Sequence, residues 1–208
     1  MKKYDVYLFD FDGTLFDTRL SLRKVWRDAF GAIGQTVTDE ECDRFMHQNL
    51  YETLAFRHVE PKDYPAFGKA LTESIDSPDT VAQNIPFPET LSVLLSLATK
   101  GKKIGLVSGN SAKHIRLVWD HWKFPELTEC FMGCDIYQKG KPDPEPLNMA
   151  LSALGESSGS RAVYIGDSLQ DIEAADAAGM DSFFIDRENE YPDYPREKIT
   201  SLTEVIPE

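Results

Sequence analysis

The chain has 208 residues, enough for one full hydrophobic core and a small second unit. It carries 22 basic and 35 acidic residues, and its net charge of −13 is expected to repel nucleic acid and anionic lipid. No run approaches the roughly 18 apolar residues of a membrane helix, and the N-terminal residues lack the apolar stretch of a secretory signal. We therefore expect a cytoplasmic protein without nucleic-acid or membrane partners, with its three cysteines reduced.

Apolar runs rich in β-forming residues recur along the chain and alternate with helical patterns. The predicted strands are residues 4–9, 103–107, 161–165 and 182–185, with a weaker candidate at 130–134. Apolar residues at helical spacing predict helices at residues 89–100, 111–122, 144–154 and 169–178. This alternation predicts an α/β fold, in which helices cover both faces of a parallel sheet.

The connection between the first two predicted strands, residues 11–102, is much longer than a crossover requires. A crossover needs only about a dozen residues plus its helix. The excess, residues 16–85, contains no convincing strand. Its clearest helical patterns are residues 39–48 and 64–74. We therefore predict a small helical unit inserted after the first strand, with residues 1–15 and 86–208 forming the core.

Polar side chains follow the predicted strands at the points where those strands end. Ligands of an open parallel sheet bind beyond the carboxyl ends of its strands. We therefore expect four segments to meet in one crevice. They bring Asp10 and Asp12, then Ser108, Gly109 and Asn110, then Lys141, and finally Asp167.

The three aspartates of this crevice predict a metal site. Asp10, Asp12 and Asp167 would lie too close together to remain ionised unaided, because like charges raise one another's pKa. Mg²⁺ resolves this repulsion, since it takes carboxylate oxygens together with those of a substrate phosphate. Asp171, four residues after Asp167, is predicted to lie at the periphery of the site. The alternative for Asp171 is an acid that merely favours the start of a helix.

Two of the aspartates suit phosphoryl transfer. A carboxylate at Asp10 can attack phosphorus and form an acyl phosphate, which divides hydrolysis into two steps. Asp12 could protonate the leaving oxygen and then deprotonate the attacking water.

The phosphoryl oxygens need donors, and the other segments contain them. The Ser108 hydroxyl, the amides of Gly109 and Asn110 and the Lys141 ammonium could stabilise the charge on these oxygens. Two alternatives remain open. Ser108 could cap the helix that follows it, and Lys139 could take the place of Lys141.

These segments resemble the four motifs of the haloacid dehalogenase-like hydrolase superfamily. They are Asp-Phe-Asp-Gly-Thr at 10–14, Ser108, Lys141 within Lys-Pro-Asp-Pro, and Gly-Asp-Ser-Leu-Gln-Asp at 166–171. The resemblance implies a Rossmann-like core with a helical cap inserted just after the first motif. It also implies Asp10 as nucleophile, Asp12 as acid and base, and Mg²⁺ on Asp10, Asp167 and the backbone carbonyl of Asp12.

The subgroup that the chain resembles contains phosphoglycolate phosphatase and its pyrophosphatase- and nucleotidase-like relatives. It implies a small phosphorylated metabolite as substrate and a specificity loop in the cap, where His47, Gln48 and Asn49 are the candidates. A sugar-phosphate phosphatase or mutase is an alternative, but mutases of the superfamily typically carry a histidine that residues 17–22 lack. The chain also departs from the pattern of the family's second motif at Gly109, which separates Ser108 from Asn110. A rival of a different class is a non-catalytic module that binds phosphorylated ligands.

Overall fold

The structure is a computed structural model that describes residues 4–46, 48–128, 130–157 and 159–207. The chain divides into two compact units. One comprises residues 1–17 and 86–208, and the other comprises residues 18–85. The sequence places the start of the helical insert two residues earlier, at residue 16.

The first unit contains a six-stranded parallel sheet in the order β5-β4-β1-β6-β7-β8. Its strands are β1 (Val6–Phe9), β4 (Lys103–Val107), β5 (Cys130–Met132), β6 (Ala162–Gly166), β7 (Asp181–Ile185) and β8 (Lys198–Ile199). β1 lies between β4 and β6, with Phe9 in register with Leu106 and Ile165. Every residue of β1 and β6 is buried, as expected for central strands of a sheet covered on both faces. The predicted α/β fold with a parallel sheet is confirmed.

Four helices alternate with these strands and contribute to the core of the unit. They are α6 (Thr90–Thr99), α7 (Ala112–His121), α8 (Glu145–Ala153) and α9 (Leu169–Ala177). One buried cluster joins Leu8 and Tyr164 of the sheet to Leu147 of α8 and Ala174 of α9. Two short strands, β2 (Phe16–Asp17) and β3 (Ile85–Pro86), lie where the chain passes between the units, and short 3-10 turns occupy Gly159–Arg161 and Leu202–Val205.

The second unit is helical. Its elements are α1 (Arg19–Gly31), α2 (Asp39–Met46), α3 (Leu50–Phe56), a 3-10 turn (Pro61–Asp63), α4 (Tyr64–Ile75) and α5 (Pro78–Gln83). Its core is aromatic, because Phe30, Phe45 and Phe67 pack together with Trp26 against them. Across the part of the chain that the structure describes, no helix has the length and apolar character needed to span a bilayer. All three cysteines are free.

Candidate active site

The four predicted segments meet at the carboxyl ends of the strands. Asp10 directly follows β1, and its backbone N–H donates to the carbonyl of Ile165 in β6 at 2.8 Å. The Lys141 ammonium donates to Asp10 Oδ1 at 2.9 Å, although 131 positions separate the two residues. Ser108, directly after β4, donates its hydroxyl to Asp12 Oδ2 at 3.1 Å. The crevice expected from the sequence is therefore present, and it is formed by residues of the first unit.

Two glycines permit the close approach of these segments. Gly13 adopts a φ of +69°, a conformation that costs residues with a Cβ, and a Cβ there would overlap the carboxylate of Asp167. A Cβ at Gly166 would likewise overlap the side chain of Asp171. The absence of side chains at these two positions lets the loop after β1 and the end of β6 contact the acidic groups.

Lys141 is surrounded by acceptors. Its ammonium donates to Asp10 Oδ1 at 2.9 Å, to the Tyr164 hydroxyl at 3.0 Å and to Asp171 Oδ1. Burial alone would lower the pKa of Lys141, but Asp10 and Asp171 outweigh it and raise this pKa well above its usual value. The group is therefore a permanent cation whose three N–H donors all have protein acceptors. Lys139, in contrast, is 72% exposed and lies 3.8 Å from Asp143, so the cation in the crevice is Lys141.

The acidic groups of the crevice fit a divalent cation. Asp10, Asp167 and Asp171 each offer an oxygen within 4.8 Å of the others. Burial raises the pKa of Asp10 to about 7, against the lowering effect of Lys141. Burial and the neighbouring carboxylates raise the pKa of Asp167 well above its usual value. A carboxylate whose pKa is raised by burial holds its proton more tightly in the protein alone, and Mg²⁺, which favours oxygen ligands, is suited to replace that proton.

Asp12 differs from Asp10 in its partners. Its Oδ2 accepts from the Ser108 hydroxyl at 3.1 Å and from Asn110 Nδ2 at 2.7 Å. Its Oδ1 is buried and has no hydrogen-bond partner within the described residues. One oxygen is thus fixed by neutral donors while the other is available to a ligand.

The second segment orients Asp12 instead of capping α7. That cap is Ser111, which accepts from the backbone N–H of His114 at 3.1 Å. Ser108 accepts from the backbone N–H of Asn110 at 3.0 Å, so the loop is held in a tight turn. Among the described residues other than its two chain neighbours, no heavy atom lies within 4 Å of the position that a Cβ at Gly109 would take. Ser108 and Asn110 are both predicted to bind phosphate, and in this structure their side chains contact Asp12.

Asp171 combines the two roles considered for it. It forms a capping box with Ser168 at the start of α9, accepting from the Ser168 backbone N–H at 3.0 Å through Oδ2. Its Oδ1 accepts from Lys141. The helix terminus therefore fixes the carboxylate that helps to orient the Lys141 ammonium.

Sequence reasoning missed three residues that support the site. The Tyr164 hydroxyl contacts Lys141, and the Tyr137 hydroxyl donates to the carbonyl of Ser108 at 3.0 Å. Glu145, at the start of α8, accepts from the backbone N–H groups of residues 138 and 139 at 2.8 and 3.2 Å. Tyr164 could have been predicted as a site residue, because it lies on a buried strand two residues before Gly166 and a buried phenol normally has a hydrogen-bond partner.

The three residues of the helical unit that were predicted to contact the leaving group differ in what the structure shows of them. His47 lies outside the described residues. Asn49 caps α3: its side chain accepts from the Glu52 backbone N–H at 2.9 Å, and Glu52 accepts from the Asn49 backbone N–H. Gln48 has a buried Oε1 without a hydrogen-bond partner among the described residues.

The chain is similar in sequence to known proteins along most of its length. A sequence model described as "Haloacid dehalogenase-like hydrolase" matches residues 7–185. A phosphoglycolate phosphatase of Psychrobacter arcticus is 26% identical over 185 residues, which cover 84% of this chain and 80% of that protein. An N-acetylmuramic acid 6-phosphate phosphatase of Pseudomonas aeruginosa is 27% identical over 175 residues, covering 83% of this chain and 77% of that protein.

A solved structure shares the fold. The crystal structure of a haloacid dehalogenase-like hydrolase from Bacteroides fragilis superposes with a TM-score of 0.83 at 28% identity, covering 94% of this chain and 96% of that one. The resemblance inferred from the four motifs is confirmed, and the chain is an enzyme that belongs to the haloacid dehalogenase-like hydrolase family.

Proposed function

We propose that this hydrolase is a magnesium-dependent phosphatase that cleaves a small phosphomonoester through an aspartyl-phosphate on Asp10. The observation that carries the proposal is the contrast between two aspartates in one loop. Asp10 is paired with the Lys141 cation, whereas Asp12 has one oxygen fixed by neutral donors and one buried oxygen without a partner. A nucleophile and an acid need these two different environments.

In the first step an Asp10 oxygen attacks phosphorus, and the bond from phosphorus to the leaving oxygen breaks. Asp12 gives its proton to that oxygen, so the leaving group departs as a neutral alcohol. In the second step Asp12 takes a proton from a water molecule whose oxygen attacks the phosphorus. The acyl phosphate bond then breaks, which releases inorganic phosphate and restores the Asp10 carboxylate.

The surrounding residues would hold and neutralise the reacting group. Asp10, Asp167 and the backbone carbonyl of Asp12 are the proposed ligands of Mg²⁺, with Asp171 behind them. When bound, the ion supplies positive charge that offsets the repulsion between the Asp10 carboxylate and a phosphate dianion. Lys141 adds a second positive charge. Because its three donors are engaged, a direct bond from Lys141 to phosphate requires the exchange of one present acceptor.

The relatives' names support a phosphomonoester as substrate, since phosphoglycolate and N-acetylmuramic acid 6-phosphate both belong to this class. Specificity for the leaving group is proposed to come from the helical unit, acting as a cap, through His47, Gln48 and Asn49. Of these three residues, Gln48 is the best choice for substitution, because its Oε1 has no partner among the described residues. Gln48→Ala is expected to change the ratio of kcat/KM between two phosphate esters, and an unchanged ratio would count against a role for Gln48.

The test is release of inorganic phosphate by the purified protein, measured with and without Mg²⁺ on an aryl phosphate. Phosphoglycolate, pyrophosphate, a nucleotide and sugar phosphates complete the substrate panel. We expect turnover that depends on Mg²⁺ and is lost in Asp10→Asn. Binding of inorganic phosphate without turnover on any substrate would favour the non-catalytic rival. Preference for pyrophosphate over every monoester would contradict the substrate class.

A further inference from the structure

Tyr164 occupies an unusual place in the site. It lies on the central strand β6, two residues before Gly166, and its side chain is fully buried. Its hydroxyl lies 3.0 Å from the Lys141 ammonium, 3.0 Å from the carbonyl of Val107 and 3.1 Å from Asp171 Oδ1. A single oxygen thus touches the end of β4, the loop after β5 and the start of α9.

The hydrogen-bond geometry assigns a direction to these contacts. A phenol has one proton to donate and lone pairs that accept. Lys141 can only donate, so the Tyr164 oxygen accepts from it. The phenolic proton goes to the carbonyl of Val107 or to Asp171 Oδ1, and both choices leave the lone pair directed at Lys141.

Lys141 therefore has three acceptors, and the Tyr164 hydroxyl is the uncharged one. The other two acceptors are the carboxylates of Asp10 and Asp171. Lys141 itself lies on a loop, and its flexible stem has several rotatable bonds, whereas Tyr164 belongs to a strand that is buried along its whole length. A neutral acceptor on a rigid strand can fix the ammonium without adding negative charge beside the proposed nucleophile.

We propose that Tyr164 is a positioning residue that fixes the Lys141 ammonium against Asp10 through its hydroxyl. The inference rests on the proposed function, because the position of the Lys141 ammonium matters only if its charge acts on a reacting phosphoryl group. The proposed role of Tyr164 requires no contact with the substrate. Its effect passes through Lys141.

The first experiment compares Tyr164→Phe with Tyr7→Phe. Tyr7 is a matched control, since it is a buried tyrosine of the adjacent strand β1 whose neighbour in register is Val163, so it faces the opposite side of the sheet. Both variants remove one phenolic oxygen and retain the ring. With an aryl phosphate and Mg²⁺, Tyr164→Phe is expected to lower kcat roughly tenfold with little change in KM, the usual loss for a hydrogen bond to a charged group. Tyr7→Phe is expected to leave kcat unchanged.

The second experiment asks whether the effect passes through Lys141. The two substitutions are combined in Lys141→Met/Tyr164→Phe and compared with Lys141→Met alone, whose side chain retains an apolar stem. If Tyr164 acts only by positioning Lys141, removing its hydroxyl costs nothing further once the ammonium is gone. Equal kcat in the single and double variants supports the proposal. A further loss of about tenfold in the double variant would overturn it, because the hydroxyl would then act independently of Lys141.

A third measurement does not depend on turnover. In a crystal structure of Tyr164→Phe, the Lys141 ammonium is expected to leave its place beside Asp10 by about 1 Å or more, a displacement large enough to impair catalysis. An unmoved ammonium would overturn the proposal. If the wild-type protein releases no phosphate from any ester, the proposed function fails, and this structural comparison still decides whether Tyr164 positions Lys141.

Discussion

At the scale of single residues, the two aspartates of the loop after β1 differ in their hydrogen-bond partners. Asp10 and Asp12 are two positions apart, yet Asp10 accepts from a buried cation and Asp12 accepts from a hydroxyl and an amide. Charge and burial therefore differ within one loop. This difference is the physical reason for assigning nucleophilic attack to Asp10 and proton transfer to Asp12.

The assignment of Asp12 predicts a dependence on the leaving group. Asp12→Asn retains an oxygen that can accept from Ser108 and Asn110, but it cannot donate the proton that the leaving oxygen needs. We expect kcat for an alkyl phosphate to fall by about 10²–10⁴, the usual contribution of an acid–base group. The loss for an activated aryl phosphate should be smaller, because its leaving oxygen is stable without a proton. Initial rates of phosphate release on both esters measure this difference.

The control for this variant is Asp135→Asn. Asp135 is exposed and accepts from the backbone N–H of Ala112, the first residue of α7, at 2.7 Å, so the exchange alters a carboxylate outside the loop that carries Asp10 and Asp12. It should leave both rates unchanged. Equal losses on the two esters in Asp12→Asn would contradict the role of Asp12 as an acid.

At the scale of elements, the main strands and the helices that connect them were predictable, whereas the side-chain contacts within the crevice were not. β1, β4 and β6 appear in the sequence as buried apolar runs, and Asp10, Ser108 and Asp167 follow directly from where those runs end. β8 has only two residues, too few for a pattern. The convergence of the segments could be inferred because parallel strands end at one edge. The partners within the crevice depend on side-chain packing.

Tyr164 and Asn49 show two ways in which side-chain contacts escape sequence analysis. Tyr164 reads as one more β-forming residue, and only the fold places its hydroxyl on Lys141. Asn49 was predicted as a leaving-group contact because of its place between two helices, and the structure shows its side chain capping α3. A polar residue before a helix is often its cap, so local geometry accounts for this side chain.

The loop after β1 gives a prediction at the same scale. Gly13 and Gly101 both have a φ of +69°, but only at Gly13 would a Cβ meet another group, the carboxylate of Asp167. Gly101→Ala should therefore lower the free energy of unfolding by about 1–2 kcal/mol through backbone strain and leave kcat intact. Gly13→Ala should add displacement of Asp167 to the same strain and abolish most of the activity. Urea unfolding and phosphate release measure the two effects. Full activity in Gly13→Ala would show that the close approach to Asp167 is unimportant.

At the scale of the whole molecule, negative charge dominates. The net charge is −13, and the crevice gathers further carboxylates around one buried lysine. A protein of this kind can accept a phosphate dianion only with local positive charge. Lys141 is already neutralised by its acidic neighbours, so a divalent cation is the expected additional source.

This charge balance predicts how Mg²⁺ and pH act on stability. Folding raises the pKa of Asp10 from 3.8 to about 7, mainly through burial. The protonated carboxyl therefore favours the fold below about pH 4, and this contribution is lost as pH rises through about 7. Asp167 acts in the same direction. On the proposal that Mg²⁺ replaces these protons, the rise in Tm on adding Mg²⁺ in place of a chelator should be larger near pH 8 than near pH 5.

Thermal unfolding at several pH values measures that rise, with Asp10→Asn as the control. The variant lacks one ionisable group of the site, so its response to Mg²⁺ should depend less on pH. An equal rise in Tm at both pH values in the wild type would show that Mg²⁺ does not displace protons from these carboxylates.

The central claim is that phosphorus becomes bonded to Asp10 during turnover, and trapping that bond tests it most directly. The protein is quenched while it hydrolyses an aryl phosphate with Mg²⁺, then treated with borohydride, which reduces an acyl phosphate to an alcohol. Mass spectrometry of the peptides locates the reduced residue. Reduction at position 10 alone, dependent on substrate, is the result we expect. Turnover without reduction at position 10, or reduction at Asp12 or Asp167 instead, would contradict the account.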